Sequence, residues 1–359
     1  MKVIITAGGT GGHIYPALAI LNKIKEKEKN CEILYIGTHN RMEKDIVPKE
    51  GYNYEALEIY GFSKTEIKRN FKNIKLIFKA KKRCLEIMKE FKPDIVIGVG
   101  GYVTYPVIKA ASKLKIKTFI HEQNSIPGKT NKNLGKIASL IGVSFKDSLK
   151  YFDKDKVIFT GNPSSENALD IKATPKTKYG LDRNKKSIVI VQGSLGSSAI
   201  NKKMKDFLEN ISKETYDVLY ITGNATYEEF SKNKFSENVK VVPYVPNLAG
   251  LMKDVDLVIS RAGAGTISEL SALEKPSILI PSPYVANNHQ YFNALSVSDA
   301  GGAIMIEEKD LNTDILKDSI NKILNDEKKY KEMQNSLKDL LVNNSSTIIY
   351  EEIKKLVKD

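Results

Sequence analysis

Apolar and polar positions alternate between two periods along this chain, and each change of period marks a change of element. Val3 to Ala7 is a short continuous apolar run, which suits a buried strand. Ile14, Ala17, Leu18, Leu21 and Ile24 then recur at helical spacing. Glu32 to Gly37 and Asp94 to Gly98 predict further strands, the latter followed by a glycine turn and a helix near Pro106 to Lys113. Thr118 to His121 and Val157 to Phe159 are strand-like. Pro163 to Asn184 is polar, carries two prolines and reads as a linker region. The pattern then restarts. Ser187 to Val191 predicts a strand, Gln192 to Ser197 a glycine loop, and Ile200, Met204, Phe207, Leu208 and Ile211 a helix face. Strands follow at Asp217 to Thr222, Val239 to Val242, Asp256 to Ser260 and Ser277 to Pro281.

Strands alternating with helices predict an α/β fold with parallel sheets covered on both faces. A chain of 359 residues is too long for one ordinary core. The expectation is two Rossmann-like, doubly wound domains facing a cleft, at 1–163 and 164–341. Ligands of such sheets bind at the carboxyl ends of the strands. Two cysteines without C-x-x-C spacing, no secretory leader and no long apolar run favour a reducing, cytoplasmic setting.

A strand, a glycine loop and a helix start open each half. Free amides and the helix dipole make that arrangement an anion site. The first loop, Gly8-Gly9-Thr10-Gly11-Gly12-His13, is not a Walker A loop, because no Gly-Lys-Ser/Thr follows. Nor does it fit a dinucleotide fingerprint, since the second strand ends Ile36-Gly37-Thr38-His39 without an acid. A plain tight turn is the bland reading. His13 precedes the helix and suits either a general base or a capping or core role.

In the second half, Ser260-Arg261-Ala262-Gly263-Ala264-Gly265-Thr266 repeats the architecture. Arg261 is a candidate phosphate clamp. Thr266 and Glu269 have capping-box spacing, which favours a capping role, whereas a carboxylate there also suits two ribose hydroxyls. His121-Glu122-Gln123-Asn124 is either a sugar-binding row or an exposed loop. Asp153-Lys154-Asp155 has the D-x-D form of metal-dependent transferases but sits in a charged turn and reads as surface. No metal site and no cofactor is expected.

The net charge of +13 calls for an acidic partner. It concentrates between Lys64 and Arg83, where Phe71, Ile74, Ile77 and Phe78 share a helical side with Lys75 and Lys79 between them. That pattern suits an anionic membrane surface, or else an ordinary helix with a solvated face. No aromatic-interleaved basic motif supports nucleic acid as a partner.

GGTGGHIYPALAI, IGTHNRMEKDIVPKEGY, GVGGYVTYP, HEQNSIPGKTN, TGNP, SRAGAGTISEL and PSPYVANNHQ, in this order, resemble the MurG family. Its members are transferases that add N-acetylglucosamine to lipid-linked muramyl-pentapeptide in peptidoglycan synthesis. The resemblance implies a glycosyltransferase-B fold with its last helix, about 342–359, returning to the first domain. The first domain would face acceptor and membrane; the second would bind UDP-N-acetylglucosamine. It implies an inverting, metal-independent transfer to the C4 hydroxyl of an undecaprenyl-pyrophosphoryl-muramyl-peptide, at the cytoplasmic face of the plasma membrane. His13, then Glu122, would be the base. Thr10, Gly11, Gly12, Asn124, Ser194, Asn201, Val245, Arg261, Ala264, Gly265, Thr266, Glu269, His289 and Gln290 would surround the donor sugar nucleotide. Tyr102 and Asn131 would lie on the acceptor side. Leu195 stands where the family usually has a polar or basic residue, and Ser164-Ser165 where it often has arginine. Other readings are a sugar-nucleotide enzyme of the same fold with another acceptor, an epimerase, or a basic nucleic-acid-binding protein.

Overall fold

The computed structural model of the chain describes residues 1–62, 65–192 and 198–358. Contact density divides it into two compact units, Met1–Ser164 with Val342–Asp359, and Ser165–Leu341.

The first unit runs β1 (Lys2–Ala7), α1 (Gly11–Lys27), β2 (Glu32–Thr38), α2 (Glu43–Lys49), β3 (Asn53–Leu57), α3 (Ile67–Phe91), β4 (Ile95–Gly100), α4 (Thr104–Lys113), β5 (Lys117–Glu122), α5 (Lys129–Leu134), β6 (Leu140–Val143) and β7 (Val157–Phe159). The second runs α6 (Ser165–Asp170), β8 (Ser187–Val191), α7 (Ser198–Glu209), β9 (Asp217–Ile221), α8 (Asn224–Ser231), β10 (Val239–Val242), α9 (Leu248–Met252), β11 (Leu257–Ser260), α10 (Ala264–Ala272), β12 (Ser277–Leu279), α11 (His289–Asp299), β13 (Ala303–Met305), α12 (Thr313–Leu324) and α13 (Glu327–Leu340). Then α14 (Ser345–Lys358) rejoins the first.

Both sheets are parallel throughout, as expected for strands that are apolar on both faces. Their orders are β3-β2-β1-β4-β5-β6-β7 and β10-β9-β8-β11-β12-β13. Each therefore reverses direction of growth beside its first strand, between β1 and β4 and between β8 and β11. A crevice opens at such a reversal, outside the carboxyl ends of the two strands. Among the described residues, Gly8 to Gly12 follow β1 and Gly263 follows β11, glycine loops singled out in the sequence.

The sheet of the first unit is covered on one face by α1 and α14, whose Ile14, Leu21, Ile24, Ile349 and Ile353 are fully buried with Ile5 and Tyr35. Tyr350 donates to Glu28 at the end of α1 at 2.7 Å, and Lys354 pairs with the same carboxylate. The other face packs α3 and α4 through Ala80, Cys84, Met88, Val107 and Ile108.

Two expectations are corrected. Residues 163–184 are not a linker. They hold α6 and a short 3-10 turn at Lys176–Tyr179 and are bonded into the second unit, Thr174 N–H to Gly250 O at 2.9 Å and Lys176 N–H to Asp254 at 2.8 Å. Their polarity misled because the Lys176 ammonium is buried against Lys185 O at 2.6 Å and Ser187 Oγ at 3.2 Å. Glu269 and Thr266 do not form a capping box. The cap lies three residues earlier, at extended Gly263, and the helix begins at Ala264, so Thr266 already lies inside the first turn.

Candidate functional site

In the first unit the site is built from two loops that touch. Gly8 N–H donates to Gly100 O at 3.2 Å. A Cβ on Gly101 would lie 2.3 Å from the Gly8 carbonyl oxygen, and one on Gly100 would lie 2.6 Å from the His13 ring; both glycines have positive φ. Glycine is required here for close approach as well as for backbone conformation.

His13 does not precede α1, as expected, but stands in its first turn, after an extended Thr10 cap. Its ring position is fixed by Nδ1, which donates to Gly8 O at 3.1 Å and lies 3.4 Å from Thr10 Oγ1. A proton on Nδ1 makes Nε2 the basic nitrogen of the neutral ring. Thr10 and Gly12 are exposed and Gly11 is half-buried around it.

The His121 to Asn124 row is not a display of sugar-binding groups. Three of its four side chains are buried. His121 Nε2 donates to Gly161 O at 3.0 Å and its Nδ1 accepts from Gln123 at 3.0 Å. Burial pushes this imidazole down to about 4, so it stays neutral. Glu122 accepts from Asn124 N–H and Asn124 Nδ2 on one oxygen and from Gly128 N–H and Asn131 Nδ2 on the other, all at 3.0 or 3.1 Å. Asn131 is itself buried and also donates to His121 O. Glu122 and Asn131 thus tie β5 to the start of α5, with Asn124 half-exposed at the edge. Tyr102 is half-buried and packs over Gly61.

The residue that motif reading passed over is Glu43. It is fully buried, yet it accepts from Gly9 N–H at 3.1 Å, Thr38 N–H at 3.1 Å and Thr38 Oγ at 2.5 Å. The available signal was an acid opening the helix that follows the second strand, within IGTHNRMEKDIVPKEGY.

On α3 the apolar residues split. Ile77 leans on the core with Ala80 and Cys84, which corrects its grouping with Phe71, Ile74 and Phe78. Those three, with Ile67, form an outer stripe exposed by 42% or more, with Lys75 and Lys79 also exposed. A cavity of about 600 Å³ opens beside them, lined by Phe62, Ile74, Phe78, Tyr105, Lys81 and Lys109.

In the second unit, α10 begins at the carboxyl end of β11, and its cap residue, Gly263, supplies no side-chain hydrogen bond. Ala264, Gly265 and Thr266 form its first turn, and a Cβ on Gly265 would meet nothing within 4 Å. Arg261 is not an open clamp: it is buried, pairs with Glu308 at 2.8 Å and donates to Ile280 O at 3.2 Å. A guanidinium buried at a strand end needs such a counter-charge. Asn201 is likewise buried, accepting from Tyr220 at 2.5 Å. Val245 is buried. Glu269 is half-buried, and burial pushes its carboxyl up to about 7. His289 Nδ1 bonds to Ala286 O at 2.8 Å, and Gln290 accepts from Ser282 N–H at 2.8 Å, next to left-handed Asn287 and Asn288. Ser194 and Leu195 lie outside the described residues. Ser164 bonds to Asn162 at 2.8 Å. Asp153-Lys154-Asp155 is the expected exposed turn, with Asp155 N–H bonded to Asp153. Among the described residues no cluster of three or more metal-ligating side chains occurs.

Residues 3–143 match the glycosyltransferase family 28 N-terminal domain, and residues 187–347 match its C-terminal domain. The chain is 42% identical over 361 residues to the UDP-N-acetylglucosamine–N-acetylmuramyl-(pentapeptide) pyrophosphoryl-undecaprenol N-acetylglucosamine transferase of Bacillus licheniformis, covering 99% of each. It belongs to the MurG family. The transferase of the same name from Halalkalibacterium halodurans is 41% identical, with full coverage of both chains. The fold also matches the crystal structure of Acinetobacter baumannii MurG, with a TM-score of 0.78 at 24% identity over 99% of each chain. A UDP-GlcNAc 2-epimerase from Neisseria meningitidis bound to UDP-GlcNAc shares the fold at a TM-score of 0.66 and 18% identity, over 99% of this chain and all of that one. Two parallel-sheet α/β domains of the MurG type are thus the observed fold. No helix among the described residues is long and apolar enough to cross a membrane.

Proposed function

We propose that this chain transfers N-acetylglucosamine from UDP-N-acetylglucosamine to the C4 hydroxyl of a lipid-linked N-acetylmuramyl-pentapeptide, with inversion and without a metal ion. The observation that carries this reading is full-length identity of 42% to a transferase bearing that activity in its name, together with an imidazole fixed for proton transfer at the carboxyl end of β1. His13 Nε2 takes the hydroxyl proton as the oxygen attacks the anomeric carbon. The bond from that carbon to the β-phosphate oxygen breaks, its electron pair stays with the phosphate, and UDP leaves. The α10 amides at Ala264 to Thr266 stabilise the departing charge, as helix starts do. Glu269 faces the ribose hydroxyls. Glu122, with both oxygens already accepting, orders the loop that carries Asn124 rather than taking a proton.

A transfer assay with UDP-N-acetylglucosamine and a lipid-linked muramyl-peptide acceptor tests the reaction. His13→Ala should lower kcat by about 10²–10⁴-fold, the ordinary worth of a general base, with little change in donor KM. Near-normal turnover would remove His13 from the chemistry.

The exposed stripe of α3 supports peripheral attachment to an anionic membrane, on its cytoplasmic face, where the lipid-linked acceptor resides. Each Lys or Arg near such a surface adds about 1 kcal/mol. Phe71→Ser with Phe78→Ser should abolish co-sedimentation with vesicles containing anionic lipid. Binding that ignores lipid charge, salt and both substitutions would refute the attachment.

A further inference from the structure

The Gly8–Gly9 peptide group stands between two side chains. Its N–H, on Gly9, donates to Glu43 Oε2 at 3.1 Å; its C=O, on Gly8, accepts from His13 Nδ1 at 3.1 Å. One planar amide therefore connects a fully buried carboxylate to the imidazole. We propose that Glu43 acts through this peptide as the positioning and polarising partner of His13, the role a directly bonded carboxylate plays for a general-base histidine. The proposal rests on the reading of His13 as the base.

Three features favour it. An anion at one end of an amide strengthens the hydrogen bond that the other end accepts, because chained hydrogen bonds polarise one another. The imidazole sits in the first turn of α1, where the positive end of the helix dipole opposes a cation; an anion relayed to Nδ1–H offsets that opposition as Nε2 gains its proton. The carboxylate is also held for this use. Both oxygens accept, Oε1 from the Thr38 amide and hydroxyl and Oε2 from Gly9, and no ion pair competes for it among the described residues.

The ionisable groups that feel the Glu43 charge are the phenols of Tyr35 and Tyr54, and Tyr54 also feels Asp45 and Tyr102. Burial, with the Glu43 charge adding to it, raises both phenols, so neither changes charge in the neutral range. Tyr35 donates to Ala7 O at 3.0 Å and Tyr54 to Thr38 O at 2.6 Å, which closes the chamber around the carboxylate. Among the described residues, Thr10 and the backbone of Gly8 and Gly100 are some of those against the imidazole.

The test compares wild type, Glu43→Gln, His13→Ala and the double variant in kcat against pH, with donor KM as a companion readout. Glu43→Gln should lower kcat at least tenfold, leave donor KM within twofold, and move the acid limb of the profile to lower pH. In the His13→Ala background the same substitution should change kcat less than twofold. Loss of kcat in both backgrounds equally, or an unmoved acid limb, would overturn the relay while leaving His13 as the base. Full activity of His13→Ala would overturn the base reading itself. Should Glu43→Gln fail to fold, ¹⁵N-histidine NMR of the wild type decides, since there are only four histidines: a neutral His13 protonated on Nδ1 supports the relay, and one protonated on Nε2 refutes it.

Discussion

At the carboxyl ends of β1 and β4 the first unit places an imidazole, two interlocked glycine loops and a buried carboxylate. At the matching ends of β8 and β11 the second places a helix start with a glycine cap, an arginine already paired with Glu308, and a half-buried glutamate. The strand orders around the two reversals are alike, so topology alone does not set the chemistry. The difference lies in what the glycines are for. In the first unit they let backbone meet backbone, and the loop is built before any ligand arrives. In the second, a Cβ on Gly265 would meet nothing within 4 Å, and the helix start around it has a glycine cap that supplies no side chain. On the proposed function, one reversal would move a proton and the other would receive an anion.

Gly101→Ala should break the first arrangement outright. The added Cβ meets the Gly8 carbonyl oxygen at 2.3 Å in a left-handed conformation, a backbone clash no side chain relieves. We expect a loss of about 3 kcal/mol or more in stability and no measurable turnover, read by denaturant titration and transfer assay.

Acid and base should separate the units next. His121 has its folded-state value depressed to about 4 from 6.5. Its contribution is present above 6.5 and is lost as pH falls through that window, amounting to about 3 kcal/mol by pH 4. Glu269 is raised to about 7 from 4.5. Its contribution is present below 4.5 and is lost as pH rises towards and through 7, about 2 kcal/mol once its partial access to water is allowed for. Calorimetry from pH 4 to pH 8 should show the transition of the first unit strengthening as that of the second weakens. Glu269→Gln should flatten only the second trend.

The smallest effect on the fold sharpens the contrast most. Gly265→Ala should leave stability within about 0.5 kcal/mol, because its Cβ meets nothing, yet raise the donor KM severalfold by crowding the α10 amides. Equal damage from Gly101→Ala and Gly265→Ala would erase the distinction between the two loops.

Much of this was legible in the sequence. Apolar runs such as Val157 to Phe159 and Ser187 to Val191 became the strands they predicted, and α1 and α7 followed their helical spacing. Motif order pointed to the glycine loops. Three kinds of information were not legible. Side-chain direction was hidden at the ends of β5 and β11, where His121, Glu122 and Arg261 looked displayed but are consumed internally. Polar composition hid order between Pro163 and Asn184, because Lys176 is satisfied by the Lys185 carbonyl and the Ser187 hydroxyl, partners no periodicity marks. Pairing across the fold was hidden altogether: Glu43 and Gly9 lie far apart in sequence, and only the parallel register of β1 and β2 brings them together.

The return of α14 sets a schedule for synthesis. Ser165–Leu341 is continuous and has all its residues before α14 is made. Met1–Ser164 is made before it but lacks Ile349 and Ile353, which fill its core, until α14 has been made. The half made first is therefore completed last, and it must persist with an apolar groove beside α1 uncovered while the second half folds. A stop codon just before Ser345 would leave that groove permanently open, so even a truncation that spares every residue of the site should divert the chain towards aggregation.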